Sequence, residues 1–324
     1  MRTYWPVLLV AICLGAAACA SLRGAARDLR SGFAGTHAPS RPPFDGTLKV
    51  VSYNIRFAKQ IGLAIEDLGE LEDLRKADII LLQEMDEAGT AQVARALAYN
   101  YVYYAASTHG RHNRLFGNAI LSRWPIEDQE RIPLPHKSPW NGQQRIAVRA
   151  VVTIPWTRSA SGVRPPVEHG YGCVASPGLD AARPSDLEIL VYSVHTETIW
   201  LSARKRADQV LAVVDSIGEA YPYVVVGGDF NTATSGAVTD LVRRFEVAGL
   251  TRASSGASPT LRFGFLSWTL DHIFVRGMPV LAAGTAGDAA ASDHLPIWAE
   301  LDLSNSSPPA SPAPRYVGAQ RPGT

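Results

Sequence analysis

The chain has 324 residues, 46% hydrophobic and 19% charged, a composition that supports a sizeable core and excludes a disordered protein. Its formal net charge of +1 excludes a chain-wide electrostatic pull toward nucleic acid and leaves open only a local basic cleft.

The first segment reads as a signal, not as part of the fold. Arg2 gives a short basic start and Trp5 to Ala18 is apolar, too short and too rich in small residues at its end to span a bilayer comfortably. The run closes in Leu14-Gly-Ala-Ala-Ala-Cys19, and a cysteine just past small residues resembles the lipobox of bacterial lipoproteins, although Leu14 lies farther from Cys19 than in the usual arrangement. That resemblance implies a signal peptide over residues 1–19, a lipid on Cys19, and a membrane-anchored protein at the periplasmic or outer-membrane face. Plain cleavage, giving a secreted protein, is the alternative. Residues 20–44, rich in Ala, Gly, Arg, Ser and Pro, read as a flexible tether, and residues 304–324 as a disordered tail. With Cys13 lost with the signal and Cys19 lipidated, Cys173 has no partner, so no intrachain disulfide is expected.

Residues 45–303 read as one domain. Thr47–Ile55 is a strand by β-branched content and alternation, and Ile65, Leu68, Leu71 and Leu74 have helical spacing over 65–76. Ala77–Glu84 is an apolar run ending in a carboxylate. Ala91–Tyr99 reads as a short Ala-rich helix, Tyr101–Tyr104 as an aromatic strand, and Gly117–Ser122 as a strand stopped by Trp124-Pro125. Arg145–Ile154 alternates as a strand; residues 157–186 then form a Gly-, Pro-, Ser- and Ala-rich insert between two paired strands. Leu187–Val194 delivers His195 at its end, and Ser202–Ile217 is helical. Val224-Val-Val-Gly-Gly-Asp-Phe-Asn231 is a buried strand broken by two glycines. A helix over 237–247 and closing strands at 270–275 and 295–301 follow. Alternation of strand and helix argues for the α/β class.

Polar residues of catalytic type recur at the ends of apolar strands: Asn54, Glu84, His195, Asp229, Asn231, Asp271, Asp293 and His294. Asp229 and Asn231, two apart, leave an extended segment on the same face, which suits holding a phosphate or a water; a strand-end turn in which they bond their own backbone is the alternative. Carboxylates and carboxamides are hard oxygen donors suited to Mg²⁺, Mn²⁺ or Ca²⁺. The chain has no paired-cysteine pattern and no His-Glu-x-x-His helix for zinc. A divalent ion with one or two histidines suits attack of water on a phosphoryl centre. Asp271 beside His294 would fix that imidazole's tautomer and raise its pKa.

Ser52-Tyr-Asn54, Leu82-Gln-Glu84, Gly117-Asn118-Ala-Ile-Leu-Ser122, His195, Gly228-Asp-Phe-Asn231, Leu270-Asp271 and Ser292-Asp-His-Leu-Pro296 occur in this order at strand ends. The ordered set resembles the endonuclease/exonuclease/phosphatase (DNase-I-like) superfamily from about Val50 to Leu301, and Arg206-x-x-Gln209 is similar to its pattern too. The resemblance implies a four-layer αββα sandwich, two packed mixed β-sheets flanked by helices. It further implies Glu84 as principal metal ligand with Asn54 and Asp293 nearby, Asp229 orienting or activating water, and Asn118 and Asn231 on phosphate oxygens. His294, paired with Asp271, would be the general base, and His195 would stabilise or protonate the leaving group. Thr269 and Leu270 depart from the Arg-Ile that many members place before the aspartate. His272, pointing away from Asp271 on a strand, reads as a packing residue. The expected function is a Mg²⁺-dependent phosphoester hydrolase of phosphodiesterase type, monomeric, acting on a lipid head group, nucleic acid or small phosphodiester. A nuclease and a catalytically dead binding lipoprotein are the alternatives, and the substrate is not encoded in the shared core.

Overall fold

A computed structural model of the chain describes residues 31–109, 114–155, 186–257, 259–263 and 266–304. The signal segment with Cys19, the insert up to residue 185 with Cys173, and the tail from 305 lie outside the described residues.

Two mixed sheets pack face to face. The first runs β1 (Gly32–Gly35), β4 (Asn100–His109), β5 (Arg114–Ser122), β3 (Ile79–Met85), β2 (Thr47–Asn54), β15 (Ile297–Asp302), β14 (Val280–Thr285). The second runs β10 (Thr251–Arg252), β13 (Asp271–Arg276), β9 (Val224–Asp229), β8 (Leu187–His195), β7 (Ile146–Ile154), β6 (Ile126–Pro133). A short hairpin, β11 (Leu261–Phe263) and β12 (Leu266–Trp268), stands apart. Each sheet has one parallel pair near its middle, β2 with β3 and β8 with β9, and the remaining pairs are antiparallel.

Period-two alternation builds the layers. Leu48, Val50, Ile79, Leu81, Val148, Val191, Val225 and Ile273 meet between the sheets. Their neighbours Val51, Tyr53, Ile80 and Leu82 point outward and are covered by α1 (Ile61–Glu70) and α2 (Glu87–Leu97) through Leu68 and Val93. On the opposite outer face Val224, Val226 and Phe274 are covered by α3 (Ala203–Ile217) and α4 (Ser235–Val247) through Val213, Leu241 and Phe245. Each such side chain contributes roughly 1.5–3 kcal/mol on burial, so strands apolar at both parities are what a four-layer sandwich requires. Helix starts follow the capping rule: Asp86 accepts from Gly89 N–H, Ser202 from Lys205 N–H, and Thr234 from Ala237 N–H.

The structure moves several boundaries. The helix expected over 65–76 starts at Ile61 and ends at Glu70; Leu71 is extended, and Leu74 and Ala77 are placed by i to i+3 turns that meet the same apolar spacing. Part of the expected tether is structured. Residues 32–35 form β1, paired antiparallel with Tyr101–Tyr104. Phe33 packs on Tyr103, and Phe44 lies edge-on to Trp124 at 5.7 Å. The strands flanking the insert do pair, Ile154 opposite Leu187.

Candidate active site

Strand register assembles one wall of the site. His195, Asp229 and Asp271 are direct cross-strand partners on β8, β9 and β13, so the three side chains leave the same face in a row. Gly228 makes the close approach possible. Its φ is +154°, and a Cβ there would sit 1.9 Å from the Val194 carbonyl oxygen. The opposite wall comes from the other sheet, where Asn54 ends β2 beside Gln83 of β3. Glu84 follows at a β-bulge between Leu82 and Met85, with φ +56°. A left-handed conformation at a non-glycine residue costs of order 1–3 kcal/mol and persists only where the surroundings enforce it. Here the bulge turns the Glu84 carboxylate toward the second sheet.

The two walls meet at the Asp229 carboxylate. Asn54 donates to its Oδ2 at 3.0 Å; His195 Nε2 lies 3.5 Å and His294 Nε2 3.8 Å from that same oxygen. The other oxygen, Oδ1, accepts the Asn231 N–H at 2.9 Å. Glu84 Oε1 is 3.9 Å from His195 Nε2, and 12% of the Glu84 side chain is exposed. His294 enters from the loop after β14, its Nδ1 2.9 Å from Asp271 Oδ2.

Burial and crowding of like charge set the protonation states. Burial, with the neighbouring Asp271 charge, pushes the Asp229 carboxyl up to about 7 against the pull of His294. Burial also raises Glu84 above the usual carboxylate range, partly offset by Arg145 and His294. For His294 burial acts downward, but the Asp271 and Asp229 carboxylates outweigh it and lift the imidazole to about 10. His195 goes the other way: burial, Arg145 and His294 hold it well below the ordinary histidine value.

Arg145 fixes the tautomer of His195. Its Nη1 lies 3.3 Å from His195 Nδ1, while Nε and Nη2 reach Glu197 at 3.3 and 3.5 Å. A guanidinium has only donors, so Nδ1 must be the lone-pair nitrogen. The proton is then on Nε2, aimed at Asp229 and Glu84. No motif marks Arg145 or Glu197; the one signal is a charged residue set immediately before a strand, Ile146–Ile154, that is apolar along most of its length.

The structure gives Asn118 another role and adds contacts to Asn54 and Asp293. Asn118 lies between the sheets and gives both amide hydrogens to backbone, to Ile146 O at 3.0 Å and Ser193 O at 3.1 Å. It ties the sheets together and has no donor left for a phosphate. Asn54, expected beside the metal, serves Asp229 with its nitrogen and accepts Arg56 N–H on its oxygen. Asp293 is at the mouth, 38% exposed and 3.2 Å from Arg56. Asn231 retains part of its capacity, with one amide hydrogen on Thr196 O. His272 packs as expected, fully buried beside Phe230 and Phe274.

The donor set fits a divalent cation. Two carboxylates, the buried Asp229 and the largely covered Glu84, have raised pKa values that a cation would relieve. The buried Asp271 Oδ1 has no hydrogen-bond partner among the described residues. Asp229, Asp271 and His294 present ligand atoms within 4.8 Å of one another. Because His294 Nδ1 is engaged by Asp271, the oxygen donors of Glu84 and Asp229 are the better match to a hard ion.

Fold and site together define a sandwich of the phosphoester-hydrolase type, with carboxylates and histidines converging at the strand ends. The sequence profile of the Endonuclease/Exonuclease/phosphatase family matches residues 51–294, and the chain belongs to that family. Over 119 residues it is 29% identical to a UPF0294 protein of Vibrio cholerae, a match covering 36% of this chain and 41% of that one. The chain therefore spans well under half the length of that relative. Among solved structures it is similar to an endonuclease/exonuclease/phosphatase from Beutenbergia cavernae (TM-score 0.55, 18% identity, 79% of this chain and 72% of that chain). It is also similar to a Danio rerio TDP2 bound to single-strand DNA product (0.53, 17%, 80% and 100%). A mannosyl-6-phosphatase from Bacteroides thetaiotaomicron (0.53, 16%, 78% and 99%) shares the same sandwich.

Proposed function

We propose that the chain is a divalent-metal-dependent phosphoester hydrolase of phosphodiesterase type that works outside the cytoplasm. The observation that carries the reading is the convergence of Asn54, His195 and His294 on one oxygen of Asp229. Glu84 and Asp229, with Asp293 at the mouth, would hold the ion, which when bound neutralises charge on the phosphoryl oxygens. Mg²⁺ is the natural choice for these oxygen donors.

Asp229, which burial raises to about 7 before any ion is bound, would orient the attacking water or take its proton. Asn54 and the Asn231 N–H hold its carboxylate in place. His195, neutral and protonated on Nε2, gives a hydrogen bond to a phosphoryl oxygen or to the leaving oxygen and keeps its proton. His294, lifted to about 10 by the Asp271 and Asp229 carboxylates and held by Asp271 at Nδ1, stands beside Asp229 and is the other group able to take or hold the water's proton. Location outside the cytoplasm is supported by the apolar Trp5–Ala18 run and Cys19.

The test is hydrolysis of bis-p-nitrophenyl phosphate with Mg²⁺ by the wild type, Glu84→Ala and His294→Ala. Both variants should lose at least about 10²-fold in kcat. Full activity in both would refute the reading. Parallel assays on DNA, RNA and phospholipid then assign the substrate.

A further inference from the structure

Two loops tied to the wall that holds His195 carry an exposed aromatic tip that the chemistry above does not use. Trp140 and Trp200 leave 72% and 62% of their surface in water, and Ile199 leaves 60%. The two indoles, from different loops, meet edge to face with centroids 5.3 Å apart. Large apolar groups clustered in water are uncommon and mark an interaction surface.

The tip is held in place. Ser138 N–H donates to Gln143 O at 2.8 Å and Gly142 N–H to Ser138 O at 3.0 Å, closing the Trp140 turn. Leu201 N–H donates to Thr198 O at 3.1 Å on the other loop. Gln209, buried on α3, joins the two: its Oε1 accepts Glu197 N–H at 2.8 Å, and its Nε2 donates to Pro135 O and His136 O at 2.9 and 3.1 Å. Glu197 in turn holds Arg145, which orients His195. The tryptophans are thus fixed to the same wall that shapes the site.

The two loops that carry the tip bear charge of one sign. Residues 133–145 and 198–207 contain no Asp or Glu, and Lys137, Arg204 and Lys205 among them are exposed. Two carboxylates border these stretches: Glu197 is buried against Arg145, and Asp208 pairs with His136 at 2.7 Å. Indole rings favour the headgroup level of a bilayer, and a cationic fringe is attracted to anionic lipid. Single-stranded nucleic acid would want flat stacking faces; here the rings stand edge to face, and Ile199 offers no plane.

We propose that Trp140, Ile199 and Trp200 dock the protein on an anionic phospholipid bilayer, with Lys137, Arg204 and Lys205 against the headgroups. Resting on the hydrolase reading, this turns the catalytic mouth toward headgroup phosphates and makes a phospholipid phosphodiester the substrate class.

The experiment compares full-length wild type with Trp140→Ala/Trp200→Ala in co-sedimentation with phosphatidylglycerol-containing vesicles, pure phosphatidylcholine vesicles and oligo(dT). Both proteins share the N-terminal apolar segment, so any difference between them reports on the tip. The double variant should bind anionic vesicles about tenfold more weakly or worse, and Lys205→Gln about fivefold more weakly. Hydrolysis of soluble bis-p-nitrophenyl phosphate should be unchanged in both, which also shows that they are folded. Equal sedimentation of wild type and double variant overturns the proposal, as does a loss confined to oligo(dT). Tryptophan-dependent vesicle binding by a protein that hydrolyses neither bis-p-nitrophenyl phosphate nor the phosphatidylglycerol of the vesicles would uphold docking and refute the hydrolase reading.

Discussion

Arg145 grips His195 by its unprotonated nitrogen, Nη1 to Nδ1 at 3.3 Å, while the rest of the guanidinium is held by buried Glu197. The pair acts on the chemistry through the imidazole, so Arg145 is a positioning residue. Arg145→Met should lower kcat by about 10²–10³, the usual loss for one misdirected donor, and leave KM less affected. Its imidazole ¹⁵N shifts should show a tautomer mixture in place of pure Nε2–H. Arg145→Lys, able to reach only one partner, should fall between. An unchanged kcat in Arg145→Met would remove this role.

Gly228 gives the sharpest stability prediction. A Cβ there meets the Val194 carbonyl oxygen at 1.9 Å, and the residue has φ +154°. Gly228→Ala must therefore separate β8 from β9 and part His195 from Asp229. We expect a loss of about 3 kcal/mol or more in urea unfolding, together with lost activity. Gly236 in α4 has nothing within 4 Å of its virtual Cβ, and Gly236→Ala should gain about 0.5–1 kcal/mol. Equal effects at the two glycines would contradict the close-approach argument.

Strand ends were legible in the sequence because apolar β-branched runs stop abruptly at Asn54, Glu84, His195 and Asp229. What each side chain does there was less legible, since residue type does not say which donors are already engaged. Asn118 gives its amide hydrogens to Ile146 O and Ser193 O, and no local pattern announces that. All four edge strands, β1, β14, β10 and β6, lie outside the strands expected from the sequence, and two of them show why. β6 is mostly polar, Ile-Glu-Asp-Gln-Glu-Arg-Ile-Pro, as suits an edge that must not pair further. β1 is Gly-Phe-Ala-Gly, which reads as linker; a Cβ at Gly32 would meet the Tyr104 ring at 2.5 Å, so glycine is what lets that ring lie along the edge.

His272 should govern part of the acid limb of stability. Thr232 Oγ1 donates to Thr269 O and so accepts from His272 Nε2, at 2.7 Å, leaving a neutral imidazole in an aromatic core. Burial, with Arg252 nearby, lowers its pKa to about 3. A base depressed in the folded state stabilises above its unfolded pKa of about 6.5, and that contribution fades as pH falls toward 3. His272→Gln should therefore have a shallower decline between pH 6 and 4, by up to one proton, about 1.4 kcal/mol per pH unit. Superimposable pH profiles for the two proteins would show that His272 is not the group responsible.

Cation binding should be visible in stability as well as in turnover. Glu84 and Asp229 carry raised pKa values because their charges are buried together, and a divalent ion that binds only the folded state relieves that cost. At one hundred times its Kd the ion should add about 2.7 kcal/mol, a rise of roughly 5–10 °C in Tm for a domain of this size. Metal competes with protons for the carboxylates. With Asp229 at about 7, the Mg²⁺-induced shift should be small at pH 6 and larger at pH 8. Chelation should reverse it, and Glu84→Ala should abolish it even where the variant alone is no less stable than the wild type. A Tm indifferent to Mg²⁺ at pH 8 would mean that the buried carboxylates do not form a cation site, and the catalytic reading would have to be rebuilt around Asp229 and the histidines alone.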